Sequence, residues 1–312
     1  MSTASCNCPC CGGGPLKFSG ESGKLECTAC GNNYEPEALE MLNASESGEQ
    51  ISFERPKEGF RTEEGVQAYL CKNCGAELMA DETAAAECPY CGSPTILPDR
   101  IEDGVKPEKV IPFVVSKEQA QNYFKGKKLL PNVFLNSRNR ISEMRRLYIP
   151  YWLFSCDACA DMVYDAEKVH TEQKGEWEIT RTKHYLVRRK GGMRFENIPV
   201  DGSVKMDDKL TESLEPYDLS AAIPFQSAVL AGAMADHADA DCDACEKRAV
   251  ERSVEQTMLD TVRDYDTVNE RNRRITTERG SATPALLPVC LMTTVKEGKT
   301  YTFAVNVQTG KL

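Results

Sequence analysis

The sequence predicts an α+β protein in which two small cysteine-clamped modules precede a β-rich α+β domain with an antiparallel sheet. Three observations predict it. Ten of the 15 cysteines lie in the first 91 residues. Eight of those ten form four knuckles of the form Cys-x-x-Cys-Gly. Beyond about residue 108, apolar strand-like runs gather around a few helical stretches without regular alternation, which is the α+β pattern.

Length and charge set the frame. At roughly 100–200 residues per domain, 312 residues make two or three domains. A chain that is 41% hydrophobic and 28% charged is not globally disordered. The net charge of −10 is concentrated: residues 1–100 carry 7 basic and 16 acidic side chains. Proteins that grip nucleic acid use clustered Lys and Arg, so the first third has the wrong sign for that work. Met1 to Gly14 has neither a basic start nor an apolar run, so no secretion signal opens the chain. The longest uncharged stretch, residues 219–235, is broken by Pro224 and falls short of the roughly 20 residues a membrane span needs. It reads as a buried Ala-rich helix. The expectation is a cytoplasmic protein in a reducing compartment, where thiols hold metal more often than they form disulfides.

The first module opens with Cys8-Pro9-Cys10-Cys11-Gly12 and, after fifteen residues, Cys27-Thr28-Ala29-Cys30-Gly31. The second opens with Cys71-Lys72-Asn73-Cys74-Gly75 and, after thirteen, Cys88-Pro89-Tyr90-Cys91-Gly92. Two residues between thiolates let both sulfurs reach one ion from a tight turn. The glycine that follows takes up the left-handed backbone the turn requires. Two knuckles at the ends of a hairpin offer four sulfurs in a tetrahedron, the geometry Zn²⁺ accepts. Each module is therefore a zinc ribbon in outline. The ligands are Cys8, Cys11, Cys27 and Cys30 in the first, and Cys71, Cys74, Cys88 and Cys91 in the second. Two structural Zn²⁺ ions per chain follow, each closed by four thiolates. Cys8 and Cys11 are preferred in the first knuckle because the Pro and Gly placement matches the Cys88–Gly92 knuckle, which leaves Cys6 and Cys10 as bystanders. Leu16-Lys17-Phe18, Lys24-Leu25-Glu26 and Glu77-Leu78-Met79 suit the hairpin strands.

The domain plan is consecutive: residues 1–34 the first ribbon, 35–65 an acidic solvated linker, 66–98 the second ribbon, 99–312 the α+β domain. In that domain residues 110–115 and 147–154 read as strands, and a capping pattern from Ser116 to Gln119 opens a helix through Phe124. Residues 160–166, 177–188, 286–292 and 300–307 read as further strands, and 197–202 as a turn-rich segment. The repeated Ile/Leu-Pro suggests prolines at strand starts. Val250, Val254, Met258, Val262 and Tyr265 recur at helical spacing as a core stripe. Cys156-Asp-Ala-Cys159 and Cys242-Asp-Ala-Cys245 share an inner dipeptide. A composite four-cysteine site between them is the alternative to four separate structural thiols. The lack of a following glycine favours the latter.

No catalytic constellation emerges. His170, His184 and His237 stand apart in sequence. There is no Gly-x-Ser-x-Gly elbow. Gly298-Lys299-Thr300 ends like a phosphate loop, but Thr293 stands where the first glycine would be. The chain reads as a non-enzymatic protein. Residues 125–146 are basic, with Lys125, Lys127, Lys128, Arg138, Arg140, Arg145 and Arg146 against Glu143. A solvated face, a docking patch for acidic groups and a nucleic-acid contact are the alternatives there.

The ordered set Cys71-x-x-Cys74-Gly-Ala-Glu-Leu, Cys88-Pro-Tyr-Cys-Gly, Tyr148-Ile-Pro-Tyr-Trp-Leu-Phe, Val200-Asp-Gly-Ser, Glu215-Pro-Tyr-Asp and Tyr301-Thr-Phe-Ala-Val-Asn-Val-Gln-Thr-Gly310 resembles the bacterial YdjG-like family of TFIIB-type zinc-ribbon proteins. The resemblance covers nearly the whole chain. It implies the same two tetrathiolate sites. It also implies association with the inner face of the membrane, beside SPFH-type or PspA-like partners. Members often continue past the equivalent of Gly310 into apolar helices, whereas this sequence stops at Leu312. Labels such as RNA polymerase subunit P or replication-restart helicase, which members often carry, rest on the ribbon alone. The functional expectation is an adaptor or scaffold for protein–protein interaction. The alternative is a nucleic-acid-binding regulator using the ribbons and residues 125–146.

Overall fold

A computed structural model describes residues 7–43, 48–56, 59–60, 67–80, 88–93, 96–99, 104–114, 145–230, 233–296 and 299–311. The first ribbon holds β1 (Leu16–Ser19), β2 (Lys24–Cys27) and β3 (Asn33–Tyr34). Helix α1 (Pro36–Asn43) follows, then β4 (Gly48–Gln50) and β5 (Gly59–Phe60). The second ribbon holds β6 (Gln67–Cys71), β7 (Glu77–Ala80) and β8 (Ile96–Asp99), and β9 (Gly104–Val105) and β10 (Lys109–Val110) lead out of it. Two long strands come next, β11 (Arg145–Lys174) and β12 (Trp177–Asp201), joined by a tight turn at Gly175 with φ of +65°. Beyond them lie α2 (Asp208–Ser213), β13 (Ile223–Pro224) and β14 (Met234–Asp236). Helix α3 (Cys242–Val250) passes through a π turn at Glu251–Glu255 into α4 (Gln256–Asp260). A third long strand, β15 (Thr267–Lys296), pairs with β16 (Lys299–Asn306) to end the chain. The protein is broadly α+β and dominated by its strands.

The chain forms two compact units, each assembled from segments distant in sequence. One comprises Met1–Phe53, Cys156–Phe195 and Val250–Gly280; the other Glu54–Ser155, Glu196–Ala249 and Ser281–Leu312. The domain plan read from the sequence is consecutive, whereas each unit combines one ribbon with stretches of β11, β12 and β15.

In the first unit β1, β2 and β3 form an antiparallel ribbon. β3 then pairs in parallel with β12, Asn33 opposite Tyr185 and Tyr34 opposite Leu186. The core is Cys8, Cys27, Tyr34, Ala38, Leu39, Met41, Val163 and Leu186. Three of these come from α1, inside the segment expected to be a solvated linker. Its acidic residues obscure an apolar face: Ala38, Leu39 and Met41 are buried, and so is Phe53 downstream. Arg188 locks the start of α1 down. Its backbone N–H donates to Glu35 Oε2 at 2.8 Å, and its guanidinium forks onto Asp161. The expected helical stripe is present, with Val250, Val254, Met258 and Val262 all buried.

In the second unit the ribbon strands β8, β6 and β7 pair antiparallel, and β7 pairs with β14. β14 runs parallel to β11, and β10 bridges β13 and β15. Residues 147–154 of β11 are buried on both faces, as a continuous apolar run demands. Each large side chain there contributes about 1.5–3 kcal/mol.

Several expectations are corrected. The sheet pairing is mixed, not antiparallel: β3–β12, β4–β15, β10–β15 and β11–β14 are parallel. Residues 197–202 are not a turn. β12 runs through to Asp201 and absorbs the irregularity at Asn197, whose φ is +55° and whose N–H donates to Ser155 Oγ at 2.9 Å. A single residue in left-handed conformation bends a strand without ending it. Residues 219–235 do not form the expected helix; around Pro224 they break into short 3₁₀ turns and the strands β13 and β14. Pro150 and Pro288 lie within long strands, not at their starts. Residues 111–114 are irregular, so the strand expected from Val110 is shorter, and the helix expected from Ser116 lies outside the described residues.

Gly280 marks a tight backbone approach in the first unit. A Cβ there would collide with the Ser52 carbonyl oxygen and the Phe53 ring, whereas one on Gly191 would meet nothing within 4 Å among the described residues. Gly280→Ala is expected to cost about 2 kcal/mol. Gly191→Ala is expected to stay within about 0.5 kcal/mol. Urea unfolding of the two variants beside the parent chain checks both.

Candidate metal centres

The four knuckles share one backbone design. The glycine N–H donates to the carbonyl of the first cysteine: Gly12 to Cys8, Gly31 to Cys27 and Gly92 to Cys88 at 2.9 Å, Gly75 to Cys71 at 2.7 Å. All four glycines have φ between +64° and +74°. A second bond closes each loop. Cys27, Cys71 and Cys88 donate their N–H to Asn32, Ala76 and Ser93, five residues on, at 2.9 Å. Cys8 donates to Gly14, six residues on, at 3.2 Å. The loop at the first knuckle thus closes one residue later.

These turns bring the eight cysteines into two groups of four. Cys8, Cys11, Cys27 and Cys30 form one, Cys71, Cys74, Cys88 and Cys91 the other, with the sulfurs of each group all within 4.8 Å of one another. Across the hairpins, Cys8–Cys30 are 3.6 Å apart and Cys11–Cys27 3.7 Å. Cys71–Cys91 and Cys74–Cys88 are both 3.6 Å apart. A disulfide would hold its sulfurs at about 2.05 Å. A tetrahedral ion with metal–sulfur bonds of about 2.3 Å sets its sulfurs about 3.8 Å apart. The donor set and spacing fit one metal ion per tetrad.

Each tetrad also holds thiols poised to ionise: Cys8 and Cys27 in the first, Cys91 in the second. Burial acts against the Cys8 thiolate. The Tyr34 hydroxyl, 2.9 Å from its sulfur, and the backbone N–H groups of Cys10 and Cys11 outweigh that and bring it down to about 6. Burial likewise opposes the Cys91 thiolate, and the Asn73 side chain with the Ser93 backbone brings it down to about 7. A thiolate is the form that binds metal.

The remaining cysteines stay apart. Cys10 is exposed and outside the first tetrad, and Cys6 lies outside the described residues. Cys156 is buried and Cys159 exposed, as alternation along β11 requires. Cys242 and Cys245 sit in the first turn of α3. No composite site joins them: among the described residues the two tetrads are the only groups gathered around a possible ion centre. Cys290 is buried. His170, His184 and His237 lie beside Glu172, Glu167 and Glu77. Of the basic segment 125–146, only Arg145 and Arg146 are described. Arg146 lies over the Phe113 ring, and Arg145 reaches the Gly92 knuckle.

Sequence reasoning missed the groups that fasten the second ribbon to its unit. Tyr90, between Cys88 and Cys91, donates its hydroxyl to Asp236 Oδ2, which also accepts from the Ser203 hydroxyl. The Ser203 N–H in turn donates to Asp201 Oδ1 at 3.0 Å. Burial pushes the carboxyls of both Asp236 and Asp201 up to about 7, against these hydrogen bonds. Lys205 Nζ donates to the Cys74 carbonyl at 3.0 Å. The motifs Cys88-Pro-Tyr-Cys-Gly and Val200-Asp-Gly-Ser contain three of these residues, which was the available signal; their contacts span 146 and 33 residues.

Compared with known proteins, the chain is 34% identical over 312 residues to the uncharacterized protein YdjG of Bacillus subtilis (strain 168), across 98% of this chain and 87% of that one. No family model matches the chain, so the TFIIB-type assignment rests on the motifs alone. No solved structure matches it.

The raised Asp236 carboxyl makes a pH prediction. In an unfolded chain it would titrate near about 4, whereas in the fold it titrates at about 7. Between those values the folded state holds the extra proton, so this group's contribution to stability falls as pH rises through the window. Asp236→Asn keeps a neutral, hydrogen-bonding side chain at every pH. Its stability relative to the parent chain is expected to improve steadily from pH about 4 to about 7. Metal loss at acid pH affects both chains alike and cancels in the difference. Paired urea titrations across that range check the slope; a flat difference contradicts it.

Proposed function

We propose that this chain, which belongs to the YdjG family, is a non-enzymatic zinc protein that presents two ribbons on a strand-rich body to a protein partner. The observation that carries this reading is the pair of closed tetrads, with sulfurs 3.6–3.7 Å apart across each hairpin. Four thiolates in a tetrahedron select zinc or iron, and this close spacing suits a single ion. Four protein ligands leave no coordination position for water or substrate, so the zinc here is architectural. A ribbon of about 30 residues buries too little apolar surface to fold alone, and metal binding supplies its rigidity. A rigid surface that costs little ordering on binding suits recognition.

The charge pattern favours protein over nucleic acid as partner. Residues 1–100, which hold both ribbons, carry 16 acidic against 7 basic side chains. Electrostatic complementarity then asks for a partner with a basic surface. The resemblance adds a cytoplasmic location and a place at the inner membrane face beside an SPFH-type or PspA-like protein. Among the described residues no helix is long and apolar enough to cross a membrane; in this reading contact with the bilayer runs through the partner or through a tail beyond this sequence.

The test is capture by the tagged, metal-loaded chain from nuclease-treated, detergent-solubilised membranes. An SPFH-type or PspA-like protein is expected to be retained, and to be lost with a Cys71→Ser/Cys88→Ser variant. Loss of the complex on nuclease treatment would overturn the reading in favour of nucleic acid.

A further inference from the structure

We propose that the two tetrads differ in kind: the second is a fixed metal site, and the first is an exchangeable one whose thiolates are open to competing ligands. The inference rests on the zinc reading above and goes beyond it.

The knuckle glycines provide a like-for-like comparison, because all four share the same hydrogen bond and the same left-handed φ. In the second ribbon both outer faces are covered by cations. The Lys205 ammonium lies 3.8 Å from where a Cβ on Gly75 would sit, and the Arg145 guanidinium 3.0 Å from that point on Gly92. In the first ribbon the same positions on Gly12 and Gly31 meet nothing within 4 Å among the described residues. The sulfurs follow suit. The second tetrad has two buried and two half-buried cysteines, while the first has Cys11 and Cys30 exposed.

Charge explains why this matters. A divalent ion with four thiolates carries a net charge of about −2. Cations against the knuckles of the second tetrad offset that charge, and Tyr90 ties the same knuckle to Asp236. These outer groups raise the cost of opening the site. At the first tetrad, among the described residues, no such cation lies within 4 Å of those points on the knuckle glycines, and two of the sulfurs stay exposed to attack.

The first tetrad also has an approach. A cleft of about 390 Å³ opens against Pro9 and Cys10, lined by Tyr34, Asp165, Glu167, His184 and Arg271 among others. Cys10 is an exposed thiol next to the ligand Cys11. It can enter as a replacement thiolate: as the Cys10 sulfur bonds the ion and gives its proton to solvent, one tetrad sulfur leaves and takes a proton up. The ion then keeps four thiolates, one of them Cys10, which borders the cleft. A small chelator in the cleft can then complete the transfer.

The test uses the full chain loaded with two zinc ions and an excess of the chromogenic chelator 4-(2-pyridylazo)resorcinol. Zinc is expected to leave in two phases of equal amplitude, about tenfold or more apart in rate. Cys10→Ser should slow the fast phase and leave its amplitude unchanged. Lys205→Ala with Arg145→Ala should speed the slow phase alone. Limited N-ethylmaleimide treatment followed by peptide mapping should label Cys11 and Cys30 before Cys74 and Cys91. One rate for both ions, or early label on the second ribbon, overturns the inequality while leaving the zinc reading intact. A chain that cannot be loaded with two zinc ions overturns the zinc reading itself.

Discussion

Four sulfurs held within 4.8 Å of one another are the constraint on which each ribbon depends. As thiolates they repel. Two unit charges at that spacing oppose each other by about 4 kcal/mol at the effective dielectric of a protein surface. Only a cation at their centre turns the cluster into an attraction. The backbone prepares the arrangement, since each knuckle aims two sulfurs inward through a pair of hydrogen bonds and a left-handed glycine. The hairpin strands that flank the knuckles are only four or five residues long, too short to hold a sheet by themselves. Metal, knuckle and hairpin therefore stand together.

From the hairpins the order spreads into each unit. In the first, β3 continues the ribbon onto β12, and Tyr34 serves twice: its ring joins the core, and its hydroxyl meets Cys8. In the second, β7 continues onto β14, and Tyr90 ties the last knuckle to a buried carboxyl. The ribbons are thus built into sheets, not strung on linkers. That arrangement fixes the orientation of each ribbon surface within its own unit. It also lets the fastening differ between the two, with cations over one pair of knuckles and, among the described residues, nothing within 4 Å of the same points on the other.

What could be read from the sequence was local chemistry. Cys-x-x-Cys-Gly encodes its own turn, so the tetrads follow from spacing. The stripe Val250, Val254, Met258 and Val262 follows from helical periodicity. The long strands were harder. Residues 147–154 are apolar and visible, but the continuation of β11 from Glu167 to Lys174 is mostly exposed and polar and carries no core signal. Parallel pairs such as Lys109 with Ala285 join residues whose proximity no local pattern reports. The acidic stretch after the first ribbon misled because its charges outnumber the three small or medium apolar residues that α1 buries. The Tyr90–Asp236–Ser203–Asp201 chain was invisible for a related reason: buried carboxyls look like surface residues until their partners are known.

The central claim is that each tetrad closes around a single zinc ion. Elemental analysis of the purified chain, joined to X-ray absorption at the zinc edge, tests it most directly. The account predicts two zinc ions per chain, each with four sulfur neighbours at about 2.3 Å and no oxygen or nitrogen ligand. Sulfurs joined in disulfides, or zinc with fewer than four sulfur neighbours, would contradict it.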